Sequence, residues 1–226
     1  MYLPHSNAAP GQLARYGTYL NRRLRRAGMK SLADAGDRAT AALVSAARAL
    51  EDAEGPVQAA LADRDAADDA LDLAAQELRH ALASRAIDAV KKAPYTQVFP
   101  NGIDYYTAAT LSDEVPRYRE LLQRLEAHLP AADPARKRAT QAITAALKDF
   151  EAASAALTEA RNARALADTA LADASEAWRR QVEKTYGAAV SELGRKRAEG
   201  FFPRARKARP TATPSTPDKE AVPNGG

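Results

Sequence analysis

The chain of 226 residues contains no cysteine. Disulfide bonds, thiolate metal ligands and thiol nucleophiles are therefore excluded. Histidine is scarce, with three residues, and the sequence has neither a glycine-rich phosphate loop nor a Ser/His/Asp arrangement with supporting spacing. We expect a protein that is not an enzyme, that holds no metal or cofactor, and that has no small-molecule substrate.

Long apolar runs are missing as well. The N-terminal segment MYLPHSNAAPGQLARYG lacks the apolar stretch of a signal peptide. No segment approaches the run of about eighteen apolar residues that spans a bilayer. We expect a cytoplasmic protein without a membrane span, and the preference for alanine, arginine and aspartate is typical of a high-GC bacterium.

Alanine is the residue in excess and makes up about a quarter of the chain. Two segments, RATAALVSAARALEDA at 38–53 and RATQAITAALKDFEAA at 138–153, open alike and share alanine at four matched positions one hundred residues apart. A repeat of this length, rich in helix-forming residues, predicts two copies of a helical hairpin.

Breaker residues set the predicted boundaries. We expect an irregular N-terminus over 1–10, a first helical hairpin over 11–93, an aromatic loop over 94–111, a second hairpin over 112–199, and a basic, proline-rich, disordered tail over 200–226. Each hairpin joins a short helix to a long one, at 12–28 and 31–93 and then at 112–129 and 134–197. Ser31 with Asp34 resembles a capping box, and Asp133 with Pro134 is a favourable helix start. Gly55-Pro56 predicts a bend of the long helix, not a break.

Heptad positions explain the alanines. Written in heptads, both long helices carry mostly large apolar residues at position a and alanine at position d. The predicted helix seam comprises Ala46, Ala53, Ala60, Ala67, Ala74, Ala146, Ala153, Ala160, Ala167 and Ala174. Small residues let two helix backbones approach closely, and the pattern resembles the packing of antiparallel alanine-seam coils, which implies no activity.

The connection decides the direction of the long helices. A loop of about eighteen residues and one short helix can barely return along a helix on the order of 90 Å, so an antiparallel pair is favoured. The predicted fold is all-α: an elongated antiparallel helical bundle of two repeated hairpins, with alanine-seam coiled-coil packing. Each short helix should cover the N-terminal part of its own long helix.

Two arginines interrupt position a at matched places. Arg64 and Arg164 are each followed four residues later by an aspartate, Asp68 and Asp168. This spacing predicts an ion pair within each helix. The alternative is a polar register lock that penalises slipped pairings.

Glu77 and His80 have the E-x-x-H spacing of iron ligands in ferritin-like bundles. The repeat should supply a second such pair, but Ala177 and Arg180 stand there. We interpret Glu77 and His80 as part of a solvated helix face, and the carboxylates at 63–72 as an exposed acidic stripe.

Aromatic and basic segments are the candidate partner surfaces. Tyr95, Phe99, Tyr105 and Tyr106 either cap the bundle end or form a partner loop. One basic segment ends the first helix and the other follows the fourth. Each either interacts favourably with the negative end of the helix dipole and packs against the bundle, or binds a polyanion. The candidate polyanion-binding residues are Arg22, Arg23, Arg25, Arg26, Arg195, Lys196, Arg197, Arg204, Arg206, Lys207 and Arg209.

These observations lead to three hypotheses. The first is a non-enzymatic structural or adaptor protein, a rod-like bundle that self-associates, as a homo-oligomer, or docks protein partners. The second is a sequence-independent nucleic-acid-binding or bundling protein that uses the basic N- and C-terminal segments. The third is an accessory or cargo component of a larger bacterial assembly.

Overall fold

The structure is a computed structural model that describes residues 3–203. Within this range the regular secondary structure is helical, without a strand, and the all-α prediction is confirmed. The helices are α1 (Pro10–Arg26), α2 (Lys30–Ala83), α3 (Tyr95–Val98), α4 (Asp104–Thr107), α5 (Glu114–His128), α6 (Pro134–Leu193) and α7 (Arg195–Glu199), with a 3-10 helix at Ala89–Lys91. The predicted disordered tail lies outside the described residues from position 204 onward.

The chain divides into two compact units. The central unit comprises residues 41–179, and the terminal unit comprises residues 3–40 and 180–203 of the described chain. Both long helices contribute to both units. The division therefore does not follow the two consecutive hairpins, because each unit combines residues from both halves of the sequence.

Within the central unit α2 and α6 run antiparallel. Glu54 pairs with Arg164, and farther along α2 Glu77 pairs with Arg138 at 3.1 Å, so rising numbers on one helix meet falling numbers on the other. The predicted direction of the long helices is confirmed. The helix also continues through Pro56, and the prediction that Gly55-Pro56 does not break α2 holds.

Alanines lie where the two helix backbones meet. Ala60, Ala67, Ala74, Ala146 and Ala153 are each at most 9 % exposed, whereas Ala46, Ala53, Ala160, Ala167 and Ala174 are half-buried. The large a-position side chains Leu71, Leu78, Ile143, Phe150 and Leu157 are buried beside them. Close approach at alanine with flanking large side chains is the packing that the heptads predicted.

Helix α5 covers one side of this pair. Its buried residues are Glu114, Tyr118, Leu121 and Leu125, and Arg119 forms an ion pair with Glu151 of α6 at 2.6 Å. Val115 and Leu122 lie at the edge of this face, half-buried, and pack against the core. The buried face of α5 therefore includes Leu121, and it begins with the carboxylate of Glu114.

The second helix ends ten residues earlier than predicted. Helix α2 stops at Ala83, and Asp88 follows with a φ of 62°. Ala81 lines the same cavity as Ala135, next to Pro134 where α6 begins. A longer α2 would have no α6 backbone to pack against, and Ile87 beyond its end is 91 % exposed.

Of the two predicted helix starts, the one at α6 is confirmed and the one at α2 is wrong. Asp133 caps α6, because its Oδ1 accepts hydrogen bonds from the backbone N–H of Ala135 and Arg136, with Pro134 at the first position. The capping box at Ser31 is wrong, since α2 already begins at Lys30.

The terminal unit packs α1 on the start of α2. Asn21 donates a hydrogen bond to Asp37 at 2.8 Å, and its side chain lies against Gly36. At the other end of the unit Phe202 is buried and meets the Tyr186 ring edge-on at 5.4 Å. The first positions of the predicted tail therefore belong to the folded chain.

Candidate functional site

Three carboxylates and a tyrosine meet where α5 packs on α2. Glu114 is 3 % exposed and its Oε2 has no hydrogen-bond partner. Asp68 Oδ1, on α2, is likewise buried without a partner. One turn farther along α2, Asp72 accepts a 2.8 Å hydrogen bond from the hydroxyl of Tyr118. We call Asp68, Asp72, Glu114 and Tyr118 the carboxylate cluster.

Burial is the main cause of the shifted titration in the carboxylate cluster. Desolvation, followed by the negative charges of Asp68 and Asp72, raises the pKa of Glu114 to about 7, against the opposing charge of Arg117. Desolvation also raises the pKa of Asp68 and of Asp72, while the Tyr118 hydrogen bond opposes the shift at Asp72. At neutral pH Glu114 is thus partly protonated.

The sequence reasoning missed Glu114. Its signal was present: Glu114 precedes Tyr118 by four residues, Leu121 by seven and Leu125 by eleven, which is the spacing of one helix face. The sequence pattern predicts Asp68 as a partner for Arg64 on the same helix. Arg64 instead bonds to its neighbour Asp65 at 2.7 Å, so the predicted ion pair with Asp68 does not form, and the charge of Arg64 only opposes the raised pKa of Asp68.

The second matched arginine also differs from the prediction. Arg164 pairs with Glu54 on the opposite helix, not with Asp168. An ion pair across the two helices is of the kind that the register-lock alternative requires. Both side chains are about half exposed, so solvent screens the pair and its contribution to stability is small.

An open groove runs between α2 and α6, lined by Asp63, Ala66, Ala67, Ala70, Ala146, Asp149, Ala152, Ala153 and Ala156. Nearer the start of α6 the same two helices line a separate cavity of about 220 Å³, with Ala74, Glu77, Leu78, His80, Ala81, Ala135, Arg138, Ala139 and Ala142. On α2, Leu73 falls between these positions and is 57 % exposed. Asp63 and Asp149 form no ion pair within residues 3–203.

Glu77 and His80 line the 220 Å³ cavity, where Glu77 pairs with Arg138. Among the described residues no group of three or more His, Cys, Asp or Glu side chains could hold a metal ion.

The aromatic residues of the segment from α3 to α4 pack together as a cluster of rings. Phe99 and Tyr106 are at most 3 % exposed and meet edge-on, with ring centroids 5.7 Å apart. Burial raises the pKa of Tyr106 to about 12. Tyr95 and Tyr105 are half-buried, and Arg117 stacks 4.5 Å from the centre of the Tyr105 ring. For Phe99 and Tyr106 the partner-loop alternative is wrong, because both are core residues.

Some candidate polyanion-binding residues already contact other groups of the protein, and others form no ion pair in the described part of the chain. Arg25 is engaged by Asp34 and Asp37, Arg23 donates to the Gly200 carbonyl, and Arg195 pairs with Glu199. No ion pair forms at Arg22, Arg26, Lys196 or Arg197 within the described residues. Arg204, Arg206, Lys207 and Arg209 lie outside the described residues.

The two units carry opposite formal charge. The described part of the terminal unit holds 12 Lys and Arg against 5 Asp and Glu, a surplus of seven positive charges. The central unit holds 16 Lys and Arg against 22 Asp and Glu, a surplus of six negative charges. The modest net charge of +4 for the whole chain conceals this separation.

Comparisons with known proteins return no match: no family model, no curated protein and no solved structure is similar to this chain. Across residues 3–203, none of the helices combines the length and the apolar character needed to cross a bilayer.

Proposed function

We propose that this chain is a non-enzymatic structural or adaptor protein that acts through protein contacts, in the first place with its own copies. The observation that carries the proposal is the opposite formal charge of its two units. A chain with a positive unit and a negative unit is electrostatically complementary to a second copy of itself. Complementary surfaces speed association and favour one arrangement over others.

The arrangement of the central unit adds support. Around Val57, Ala60 and Leu157 the apolar cluster consists of residues of α2 and α6, and alanines line the open groove beside it. A second protein packing there would remove apolar surface from water. The carboxylate cluster, by contrast, buries its unpartnered oxygens, which does not favour a catalytic role.

Light scattering coupled to size-exclusion chromatography tests the proposal. At low ionic strength we expect a mass above that of one 24.2 kDa chain, growing with protein concentration and falling in about 0.5 M salt as charges are screened. A mass of one chain at every concentration and salt, together with no protein captured by the immobilised chain, would refute it.

A polyanion-binding function is the second candidate, and the seven surplus positive charges of the terminal unit favour it. Phosphate contacts release counterions, so binding to DNA should weaken steeply with salt. Fluorescence anisotropy with a labelled DNA duplex and a labelled single strand, at 50 and 200 mM salt, measures this. A cytoplasmic location, a bacterial source and a role in a larger assembly stay predictions from the sequence.

A further inference from the structure

Helix α1 presents an exposed face of arginines around one aromatic ring. Its buried residues Leu13, Tyr16, Gly17, Leu20, Asn21 and Leu24 pack into the terminal unit. Arg15, Tyr19, Arg22 and Arg26 lie on the exposed side at spacings of four, three and four residues, which aligns them along the helix. We call these four residues the arginine face.

The arginine face has unused binding capacity. Its three arginines form no ion pair within the described residues, although Arg25, on the adjacent side of α1, is bound by two aspartates. Tyr19 is 46 % exposed, one of the large hydrophobic side chains that the described chain leaves in solvent. Arginine and tyrosine are the residue types enriched at interface centres.

The open groove of the central unit has the complementary properties. Its floor is alanine, its rims carry the unpaired carboxylates Asp63 and Asp149, and Leu73 is exposed beside it. On α6 the groove lining extends from Ala146 to Ala156, about 15 Å of helix, and the arginine face from Arg15 to Arg26 covers about 17 Å of α1. Length and charge therefore agree.

We propose that the arginine face of α1 docks on the open groove of a second copy of this chain, where its guanidinium groups meet Asp63 and Asp149 and the Tyr19 ring covers alanine. This inference rests on the structural function proposed above and names the two surfaces that carry it. The contact joins different surfaces of the two copies, so a two-fold symmetric pair would form it twice.

Charge reversal tests the arginine face. We expect the variant R22E/R26E to self-associate at least tenfold more weakly than the wild type, measured by sedimentation equilibrium at low salt. The matched control is R38E/K196E, which lowers the charge of the same terminal unit equally at two exposed cations outside α1. The control should weaken association much less than R22E/R26E does, and circular dichroism should show that both variants are folded.

The groove is tested by the opposite reversal and by a rescue. D63K/D149K should weaken self-association to a similar extent, with D52K/D173K as its control. A chain that carries all four substitutions R22E, R26E, D63K and D149K should regain association, because exchanging the charges on both surfaces restores the attraction. Tyr19→Ser should weaken it several-fold without a change in its salt dependence.

The outcomes separate the two proposals. If the wild type associates but R22E/R26E or D63K/D149K does not weaken it, or if the four-substitution chain is not rescued, the docking inference is wrong while the structural function stands. If the wild type remains a single chain throughout and captures no protein, both fail. If R22E/R26E changes only the anisotropy of labelled DNA, the arginine face serves a polyanion and the docking inference is wrong.

Discussion

The hydroxyl of Tyr118 donates a 2.8 Å hydrogen bond to Asp72 Oδ1 from a ring that is fully buried. This bond fixes α5 to α2 within the carboxylate cluster. Burial raises the pKa of Tyr118, with a further contribution from the Asp72 bond, so the hydroxyl remains a donor at any ordinary pH. A charged acceptor and a buried donor make this hydrogen bond stronger than a neutral one.

Replacing Tyr118 by Phe should therefore destabilise the protein. The change removes the donor but keeps the ring, and we expect a loss of about 1.5–3 kcal/mol in the free energy of unfolding because Asp72 remains partly buried. Urea unfolding measures the loss, with Asp72→Asn and the double variant completing a thermodynamic cycle. Tyr19→Phe is the exposed control and should be neutral. A loss at Tyr118 no larger than that of the control would contradict the assigned bond.

Glu114 gives the protein a pH dependence with a defined sign. Its pKa is about 7 in the folded state against an ordinary value of 4.5, so between these values the folded chain binds more protons than the unfolded chain. The free energy of unfolding should fall as the pH rises from about 4.5 to about 7 and stay low above that, a loss of up to about 3 kcal/mol. Asp68 and Asp72, whose pKa values are also raised, act in the same direction.

Glu114→Gln isolates this contribution. The amide cannot ionise, so the variant should lose most of the slope and exceed the wild type in stability at pH 8 by about 1–3 kcal/mol. Denaturation at pH 5 and pH 8 measures both quantities. Glu126→Gln, at an exposed position of the same helix, should leave the slope unchanged. Identical slopes in the wild type and Glu114→Gln would show that the carboxyl is not buried as described.

Sequence periodicity predicted the paired helices but not the carboxylate cluster. The alanine column is a local pattern with one structural solution, because only small residues permit so close a backbone contact. Which face of α5 packs inward depends instead on the position of α2 beneath it, and Glu114 is buried together with Tyr118. The end of α2 at Ala83 was missed for a similar reason. Helix-forming residues continue to Ala93, but α6 begins opposite Ala81, so residues beyond Ala83 have no helix to pack against.

The opposite charge of the two units was only partly readable from the sequence. Basic segments near both ends and an acidic block at 51–72 were visible. The sequence did not show which cations form ion pairs within the fold. Arg25 pairs with Asp34 and Asp37, whereas Arg22, one turn earlier, forms no ion pair within residues 3–203. The fold converts a block of arginines into a single exposed face.

Two glycines inside α2 should respond oppositely to alanine. A Cβ at Gly36 would lie 2.1 Å from Asn21 Oδ1, whereas a Cβ at Gly55 would meet nothing within 4 Å. Gly55→Ala should stabilise by up to about 1 kcal/mol through helix propensity. Gly36→Ala should destabilise by about 1–3 kcal/mol, because the buried Asn21 must move.

Chemical denaturation of the two variants, and of Gly36→Ala in the Asn21→Ala background, measures this difference. Removing the Asn21 amide removes the obstacle, so Gly36→Ala should become neutral or stabilising there. A stabilising Gly36→Ala in the wild-type chain would mean that α1 does not lie this close to α2.

The close packing of the alanine seam can be tested at two adjacent alanines, one buried and one exposed. Ala146 is 6 % exposed between α2 and α6, while Ala145 is exposed. Ala146→Leu forces a larger side chain between two closely spaced backbones and should cost about 1–3 kcal/mol or more, whereas Ala145→Leu should stay within about 0.5 kcal/mol of the wild type. In a chain of this size 1 kcal/mol corresponds to a Tm shift of about 2–4 °C. Equal Tm values for the two variants would mean that the helices are held apart at this position, and that the repeated alanines reflect composition instead of contact.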